Sequence, residues 1–190
     1  MSVFDQVYPR KNTNSLKWDK MDKVYNMEDT SELLAMWVAD MDFAPPQAVL
    51  DALHKRLDHP IFGYSLVNDD CRDAIVSWFK RRHNWIIDPN TILFQSGVVP
   101  AIANIIDTFT QVGDKIVVST PIYPPFFNVP KNQKRELIFC DLHEENGIYS
   151  FNFDTLEAAF TEAKMYILCN PHNPGGMTWS KADLEKIIEL

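Results

Sequence analysis

Three consecutive pieces of sequence decide the fold: Met165-Tyr-Ile-Leu-Cys169, Asn170-Pro-His-Asn-Pro-Gly-Gly176 and Ser180-Lys-Ala-Asp183. The apolar run predicts a buried strand, the repeated Asn-Pro and the Gly-Gly predict a rigid turn, and the last piece predicts a capping box that opens a helix. In an open parallel sheet, small ligands bind outside the carboxyl ends of the strands. Asn173 is therefore expected where a ligand could bind, although a plain turn asparagine is the alternative.

Earlier apolar runs repeat this alternation of strands and helices. Strands are predicted at residues 91–95, 115–119 and 136–140, and a helix from 98 to 110 joins the first two into a βαβ unit. Short apolar runs of this kind are typical of strands that are covered on both faces. The sequence therefore predicts an α/β fold with a parallel sheet and crossover helices.

Further elements are predicted around this pattern. Helices are expected at residues 47–58 and 69–83, and the spacing of the apolar residues in the second one predicts a buried face. That face contains Ala74, Ile75, Trp78 and Phe79. A small edge strand is expected at 147–151, and a helix capped by Asp154 is expected to run through Ala163.

Composition excludes several classes of protein. The chain has 190 residues and a formal net charge of −8, and its longest basic run is Lys80-Arg81-Arg82, so no nucleic-acid partner is indicated. No stretch reaches the ~20 apolar residues that span a bilayer, so no membrane segment is expected. The N-terminus lacks the features of a signal peptide, which favours a cytoplasmic location.

The cysteines and histidines carry no metal signature. Cys71, Cys140 and Cys169 are an odd number without metal-like spacing, and they are expected to be buried reduced thiols. The five histidines provide no pair on one helix face, so no metal site is predicted.

Two further strand ends carry residues that could bind a ligand. Ser96-Gly97-Val98-Val99 leads into a predicted helix, where free N–H groups and the helix dipole favour a phosphate. Thr120-Pro-Ile-Tyr-Pro-Pro125 holds Tyr123 where its ring could lie against a flat cofactor. Glycine before a helix is also common without any ligand, and Tyr123 could equally be a core tyrosine beside prolines.

A phosphate-binding turn, an aromatic ring and an amide donor in this order resemble the large domain of fold-type I pyridoxal 5′-phosphate (PLP) enzymes. Five motifs narrow the resemblance to the PatB/MalY branch, the cystathionine β-lyase-like carbon–sulfur lyases and their aminotransferase relatives. They are Lys17-Trp18-Asp19, Trp37-Val-Ala-Asp-Met-Asp-Phe43, Phe62-Gly-Tyr-Ser65, Thr120-Pro-Ile-Tyr123 and Asn170-Pro-His-Asn-Pro-Gly-Gly176. The resemblance covers essentially the whole chain, with Gly175-Gly176 in place of the commoner Thr-Gly. It implies a three-layer α/β/α fold of the aspartate aminotransferase-like type.

The resemblance implies roles in holding PLP. Gly97, Val98 and Val99 match the turn that binds the cofactor phosphate. Tyr123 matches the tyrosine that stacks on the pyridine ring, and Asn173 matches the asparagine that bonds the cofactor's 3′ oxygen.

Other matching residues concern the substrate and a second subunit. The backbone near Ala39 and Asp40 matches a segment close to the substrate carboxylate. Tyr64 matches a tyrosine that reaches the phosphate of the neighbouring subunit, which implies a homodimer with shared active sites.

The implied activity is β-elimination from cystathionine or cysteine-type amino acids, which yields pyruvate, ammonia and a thiol. An aminotransferase on the same scaffold is the nearest alternative, because the residues that separate the two lie mostly outside this chain. A non-catalytic half-length or regulatory binding protein is an alternative from another class, because the Schiff-base lysine of the family has no match here.

No catalytic residue is therefore expected in this chain. Thr178-Trp-Ser-Lys181 mimics the lysine motif, but Lys181 is expected to be a solvated residue in the first turn of a helix. We expect residues 1–45 to form an N-terminal arm that belongs to the small domain. Residues 46–190 are expected to form the N-terminal part of the PLP-binding large domain, incomplete and truncated at 190.

Overall fold

The computed structural model describes residues 2–190, which form two compact units that meet in sequence between Asn68 and Asp69. The first unit contains a 3₁₀ turn at Val3–Asp5 and helices α1 (Leu16–Asp19), α2 (Met21–Tyr25) and α3 (Gln47–Leu57). The predicted division between residues 45 and 46 stays a prediction, because a compact unit is not by itself a domain.

The second unit contains the parallel sheet and most of the helices. In chain order its elements are α4 (Asp69–His83), a 3₁₀ turn (Pro89–Thr91), α5 (Val98–Phe109), β1 (Lys115–Thr120), α6 (Pro125–Asn132), β2 (Glu136–Asp141), β3 (His143–Glu145), β4 (Ile148–Ser150), α7 (Phe153–Phe160), β5 (Met165–Ile167) and α8 (Lys181–Glu189).

The sheet has three strands in the order β2-β1-β5, and both pairings are parallel. Neighbouring residues of β1 point to opposite faces, as the pleat of a strand requires. Val117 packs in one core with residues of α7, whereas Val118 packs in another with Phe126 and Phe127 of α6. Helices therefore cover both faces of the sheet, and the predicted α/β class is confirmed.

The predicted strand at residues 91–95 is wrong. Its first residue belongs to the 3₁₀ turn Pro89–Thr91, and residues 92–95 have no ladder partner among residues 2–190. Ile92 is still extended, with φ −78° and ψ 115°. An apolar run predicts an extended backbone, but a strand also requires a neighbour whose N–H and C=O groups can pair with it.

The predicted buried face of α4 is also wrong. The helix has the predicted bounds, but none of its residues is buried, and Ala74 and Trp78 are exposed. Amphipathic spacing indicates which face of a helix can be covered. It does not supply the covering element, and residues 2–190 provide none that buries this face.

Smaller corrections concern a helix cap, an edge strand and a cysteine. The cap of α7 is Asn152, whose Oδ1 accepts from the Thr155 N–H at 3.1 Å, so the helix begins before Asp154. The predicted edge strand pairs with β3 in a separate antiparallel hairpin. Cys140 and Cys169 are buried as predicted, but Cys71 is exposed.

Candidate functional site

Two loops at the carboxyl edge of the sheet are joined by hydrogen bonds. The loop after β1 carries Tyr123, and the loop after β5 carries Asn173. The Tyr123 backbone N–H donates to the Asn173 carbonyl at 2.9 Å. A second bond joins the same loops, because the His172 ring Nε2 lies 2.8 Å from the Pro121 carbonyl. Two residues that are 50 positions apart in sequence are thereby held side by side.

The side chains of Tyr123 and Asn173 are exposed to solvent. Tyr123 is 43% exposed, and its ring contacts that of Phe126 edge-on with centroids 6.1 Å apart. The Asn173 side chain is exposed and makes no hydrogen bond within residues 2–190. An aromatic ring and an amide are therefore both exposed on these two joined loops.

The N-terminus of α5 carries the third predicted feature. Gly97 is the N-cap, and Pro100 in the first turn has no N–H, so Val98 and Val99 provide the free donors of this turn. Neither N–H has an acceptor among the described residues 2–190. The glycine also leaves room beside them, because a Cβ at Gly97 would meet nothing closer than Pro100 Cδ at 3.7 Å.

Hydrogen bonds place the other end of α5. Its C-cap, Thr110, lies at the opposite edge, where the buried Arg135 just before β2 donates to the Thr110 carbonyl at 2.8 Å. A 12-residue helix is about 18 Å long, and a six-residue strand is about 20 Å long. The two elements are therefore of similar length, and the N-terminus of α5 lies about one helix length from Thr110.

Polar pairs occur near the ends of the strands. The Ser119 hydroxyl lies 2.8 Å from the Tyr166 hydroxyl, and Thr120 Oγ1 donates to the Asp141 carboxylate. Burial raises the pKa of Tyr166 to about 12, so its phenol is neutral at physiological pH.

Aromatic side chains pack against the turn that carries Asn173. Trp179 is buried, and its Nε1–H donates to the Cys169 carbonyl at 2.9 Å. His172 is 3% exposed, with its ring between those of Tyr149 and Trp179. The sequence predicts no metal-binding role for His172 and gives it no other role. Its place between Pro171 and Asn173, a few residues after a strand, is the sequence signal that this histidine could be structural.

In the first unit, the segment with Ala39 and Asp40 is held by charged side chains. Both residues are exposed, and Arg10 Nη2 lies 2.5 Å from the Asp40 carboxylate. The Lys17 ammonium donates to Asp42 at 2.7 Å and to the Asp40 carbonyl at 2.9 Å. The hydrogen bond from Lys17 is the largest cause that lowers the pKa of the Asp42 carboxyl.

Tyr64 is fully exposed in the first unit and makes no hydrogen bond within residues 2–190. A large aromatic side chain in this state is available for a contact outside its own chain.

Lys181 lies at its predicted position. It is in the first turn of α8, highly exposed, and its ammonium is 3.3 Å from the Glu185 carboxylate. The Ser180–Asp183 capping box before it is also confirmed. Lys181 is therefore a solvated helix residue.

Residues 2–190 contain neither a candidate metal site nor a membrane-spanning helix. No group of three or more His, Cys, Asp or Glu side chains there could hold a metal ion. No helix in that part of the chain is long and apolar enough to cross a bilayer.

The fold and the site define a class. The second unit combines a parallel α/β sheet with a helix N-terminus that has free N–H groups, an exposed aromatic ring and an exposed amide, and in folds of this kind small ligands bind at the carboxyl edge of the sheet. The chain belongs to the family Aminotransferase class I and II, which matches residues 32–190.

Individual relatives agree with this assignment. The chain is 41% identical to cystathionine beta-lyase PatB of Bacillus subtilis over 98% of its length, and 31% identical to the protein MalY of Escherichia coli over 100%. Among solved structures it resembles cystalysin from Treponema denticola, which contains a pyridoxal 5′-phosphate cofactor. That match has a TM-score of 0.90 and 38% identity, and it covers 97% of this chain and 47% of the other.

The chain covers 48% of the Bacillus subtilis relative and 49% of the Escherichia coli one, so it spans about half the length of the curated relatives it matches. The resemblance to the PatB/MalY branch is confirmed, and so is the aminotransferase-like α/β fold, which is present in part.

Proposed function

We propose that this protein is a PLP-dependent carbon–sulfur β-lyase that acts on cystathionine or cysteine-type amino acids, and that residues 1–190 contribute one part of its active site. The observation that carries the proposal is the hydrogen bond between the Tyr123 N–H and the Asn173 carbonyl, which holds an exposed ring beside an exposed amide. The relatives described above support the choice of activity.

The cofactor phosphate would bind at the N-terminus of α5. The N–H groups of Val98 and Val99 lack acceptors in residues 2–190, and Gly97 leaves space for an anion to approach. The dipole of a 12-residue helix adds a favourable interaction with the phosphate charge.

The cofactor ring would lie against Tyr123, and the Asn173 amide would donate to the ring oxygen. Both side chains are exposed at the same edge of the sheet, which fits a flat, polar, anionic cofactor. When bound, PLP accepts the electron pair that is released at the substrate α-carbon. Residues 1–190 position this group, and we infer that the lysine that removes the α-proton is not among them.

The substrate carboxylate would approach the exposed backbone of Ala39 and Asp40. Arg10 neutralises the Asp40 side chain at 2.5 Å, which reduces the repulsion that a substrate carboxylate would otherwise meet there. Tyr64 would reach the phosphate of a second subunit, and the protein would therefore act as a homodimer with shared sites. We keep the cytoplasm as the proposed location.

The test uses the protein expressed from its complete reading frame, incubated with PLP and L-cystathionine. The expected result is formation of pyruvate and a thiol without any requirement for a keto-acid acceptor. Amino-group transfer to a keto acid without pyruvate release would instead identify an aminotransferase. Absence of both reactions, together with failure to bind PLP, would favour the non-catalytic alternative.

A single-residue test addresses the role of Tyr123. Replacing it with Leu removes a ring contact worth about 0.5–1.5 kcal/mol, so PLP affinity should fall by roughly three- to tenfold. The matched control is Tyr25→Leu, because Tyr25 is half exposed in the first unit and has no proposed contact with the cofactor. Unchanged PLP affinity in Tyr123→Leu would exclude the stacking role.

A further inference from the structure

His172 is a buried polar residue to which the proposed function assigns no role. It lies between Pro171 and Asn173, and its ring is 3% exposed. Its neighbours on either side are aromatic, with ring centroids 6.5 Å away at Tyr149 and 5.3 Å away at Trp179. Burying an imidazole costs free energy unless its nitrogen atoms are hydrogen-bonded.

The ring is bonded to the opposite loop. Its Nε2 lies 2.8 Å from the Pro121 carbonyl oxygen, and because a carbonyl can only accept, Nε2 carries the proton and donates. Pro121 is two residues before Tyr123, and His172 is one residue before Asn173. The side-chain bond therefore acts beside the backbone bond between Tyr123 and Asn173, and together they tie the two loops at two points.

Gly175 makes this position of the ring possible. A Cβ at Gly175 would lie 2.9 Å from His172 Cδ2 and 3.1 Å from Tyr149 Cδ2, both closer than ordinary contacts. The glycine at 175 therefore lets the two rings pack against the backbone of the turn.

We propose that His172 is a positioning residue, which sets the Tyr123 ring relative to the Asn173 amide through its bond to the Pro121 carbonyl, and that Gly175 provides the space this requires. The inference rests on the proposed function, because it assigns the geometry of the same cofactor-binding edge. A misplacement of about 1 Å in a site of this kind can have a large effect on function.

The test compares two replacements of His172 in the protein expressed from its complete reading frame. His172→Phe keeps an aromatic ring between Tyr149 and Trp179 but cannot donate to Pro121. His172→Gln keeps an N–H donor at a similar reach. The matched control is His143→Phe, because His143 is exposed on β3 and is bonded to neither loop.

The readouts are the dissociation constant for PLP, the circular dichroism of the bound cofactor's absorption band and the unfolding midpoint of the apoprotein. We expect His172→Phe to weaken PLP binding about tenfold, which corresponds to the net loss of roughly one hydrogen bond, and to change the dichroic band. We expect His172→Gln to keep most of the wild-type PLP affinity and of the wild-type dichroic band. We expect His143→Phe to match the wild type in both measurements.

Other results overturn the inference in distinguishable ways. If His172→Phe lowers only the unfolding midpoint and leaves PLP affinity and dichroism unchanged, His172 has a purely structural role. If wild type and His143→Phe also fail to bind PLP, the proposed function itself is wrong and the inference falls with it.

A second variant keeps the test decisive if His172→Phe does not fold. Gly175→Ala places a methyl group against His172 and Tyr149 without removing the imidazole. We expect it to change the dichroic band and to weaken PLP binding in the same direction. A Gly175→Ala protein with wild-type affinity and dichroism would contradict the proposal.

Discussion

The second unit contains two regions that the sequence describes in similar terms but that differ in the structure. In the closed region, which comprises β1, β5, the two loops with Tyr123 and Asn173 and the face of α5 that carries Ile106, the strands are paired, the loops are joined by hydrogen bonds, and Ile106, Val118 and Cys169 are buried. In the open region, which comprises residues 92–95 and α4, the extended segment is unpaired and the helix has no buried residue. A pattern of apolar residues thus predicts a conformation, but burial depends on whether a complementary surface is present.

The largest expected effect comes from a buried residue of the closed region. Ile106→Ala should lower the free energy of unfolding by about 2–5 kcal/mol, because Ile106 is fully buried and its removal leaves a cavity. The matched control is Ile105→Ala, the adjacent residue of the same helix, which is 49% exposed and should cost much less. Urea unfolding of the 190-residue chain measures both. Equal losses would mean that Ile106 is not more buried than Ile105.

The next effect depends on pH. Burial raises the pKa of Tyr166 to about 12, whereas an unfolded tyrosine titrates near 10, so the unfolded chain loses this proton first as the pH rises. The stability from this residue is present below pH ~10 and is lost progressively as the pH rises toward ~12, by about 2–3 kcal/mol in total.

The check is urea unfolding of wild type and Tyr166→Phe at pH 8, 10 and 11. At pH 8 the variant should be less stable by about 0.5–1.5 kcal/mol, because it lacks the hydroxyl that pairs with Ser119. This difference in unfolding free energy between the wild type and Tyr166→Phe should become smaller, or change sign, at pH 11. A gap that stays constant over this range would contradict the burial of the phenol.

A smaller effect is expected at the start of α8. Ser180→Ala removes the capping bond to the Asp183 N–H, which is 3.1 Å long, and should lower the unfolding free energy by about 1 kcal/mol. Lys181→Ala is the neighbouring control and should cost no more than about 0.5 kcal/mol, because its ion pair with Glu185 is exposed. If Lys181→Ala lowers the unfolding free energy as much as Ser180→Ala does, the capping box does not stabilise this helix.

The smallest effect is expected in the open region. Leu93 is 84% exposed, so Leu93→Ala should change the stability of the 190-residue chain by no more than about 0.5 kcal/mol. The same change in the protein from the complete reading frame would sharpen the comparison, because a larger loss there would show that another element covers this segment. A loss of several kcal/mol in the 190-residue chain itself would mean that the region is already closed.

Much of the fold could be predicted because its signals are local. The bounds predicted for α4 match Asp69–His83, and the capping box at Ser180 was read directly from residue types and their spacing. The strand predicted at residues 136–140 agrees with Glu136–Asp141 to within one residue. The candidate site could be predicted in part because Gly97, Tyr123 and Asn173 each follow or open such an element.

Other features could not be predicted because they depend on residues far apart in the chain. Nothing around His172 indicates that its ring meets the Pro121 carbonyl, and nothing around Asn173 indicates that its carbonyl accepts from Tyr123. The wrong strand prediction at residues 92–95 has the same cause. The sequence shows the extended run but not whether a neighbouring strand lies beside it.

The sequence by itself determined the kinds of element, several of their ends and the family to which the chain belongs, because helix caps, turn residues and apolar periodicity act over a few residues. Only the tertiary structure decided which strands pair, which faces are buried and how the loops with Tyr123 and Asn173 are tied together. The physical reason is that burial and hydrogen-bond pairing are properties of two surfaces in contact, and a local pattern describes only one of them.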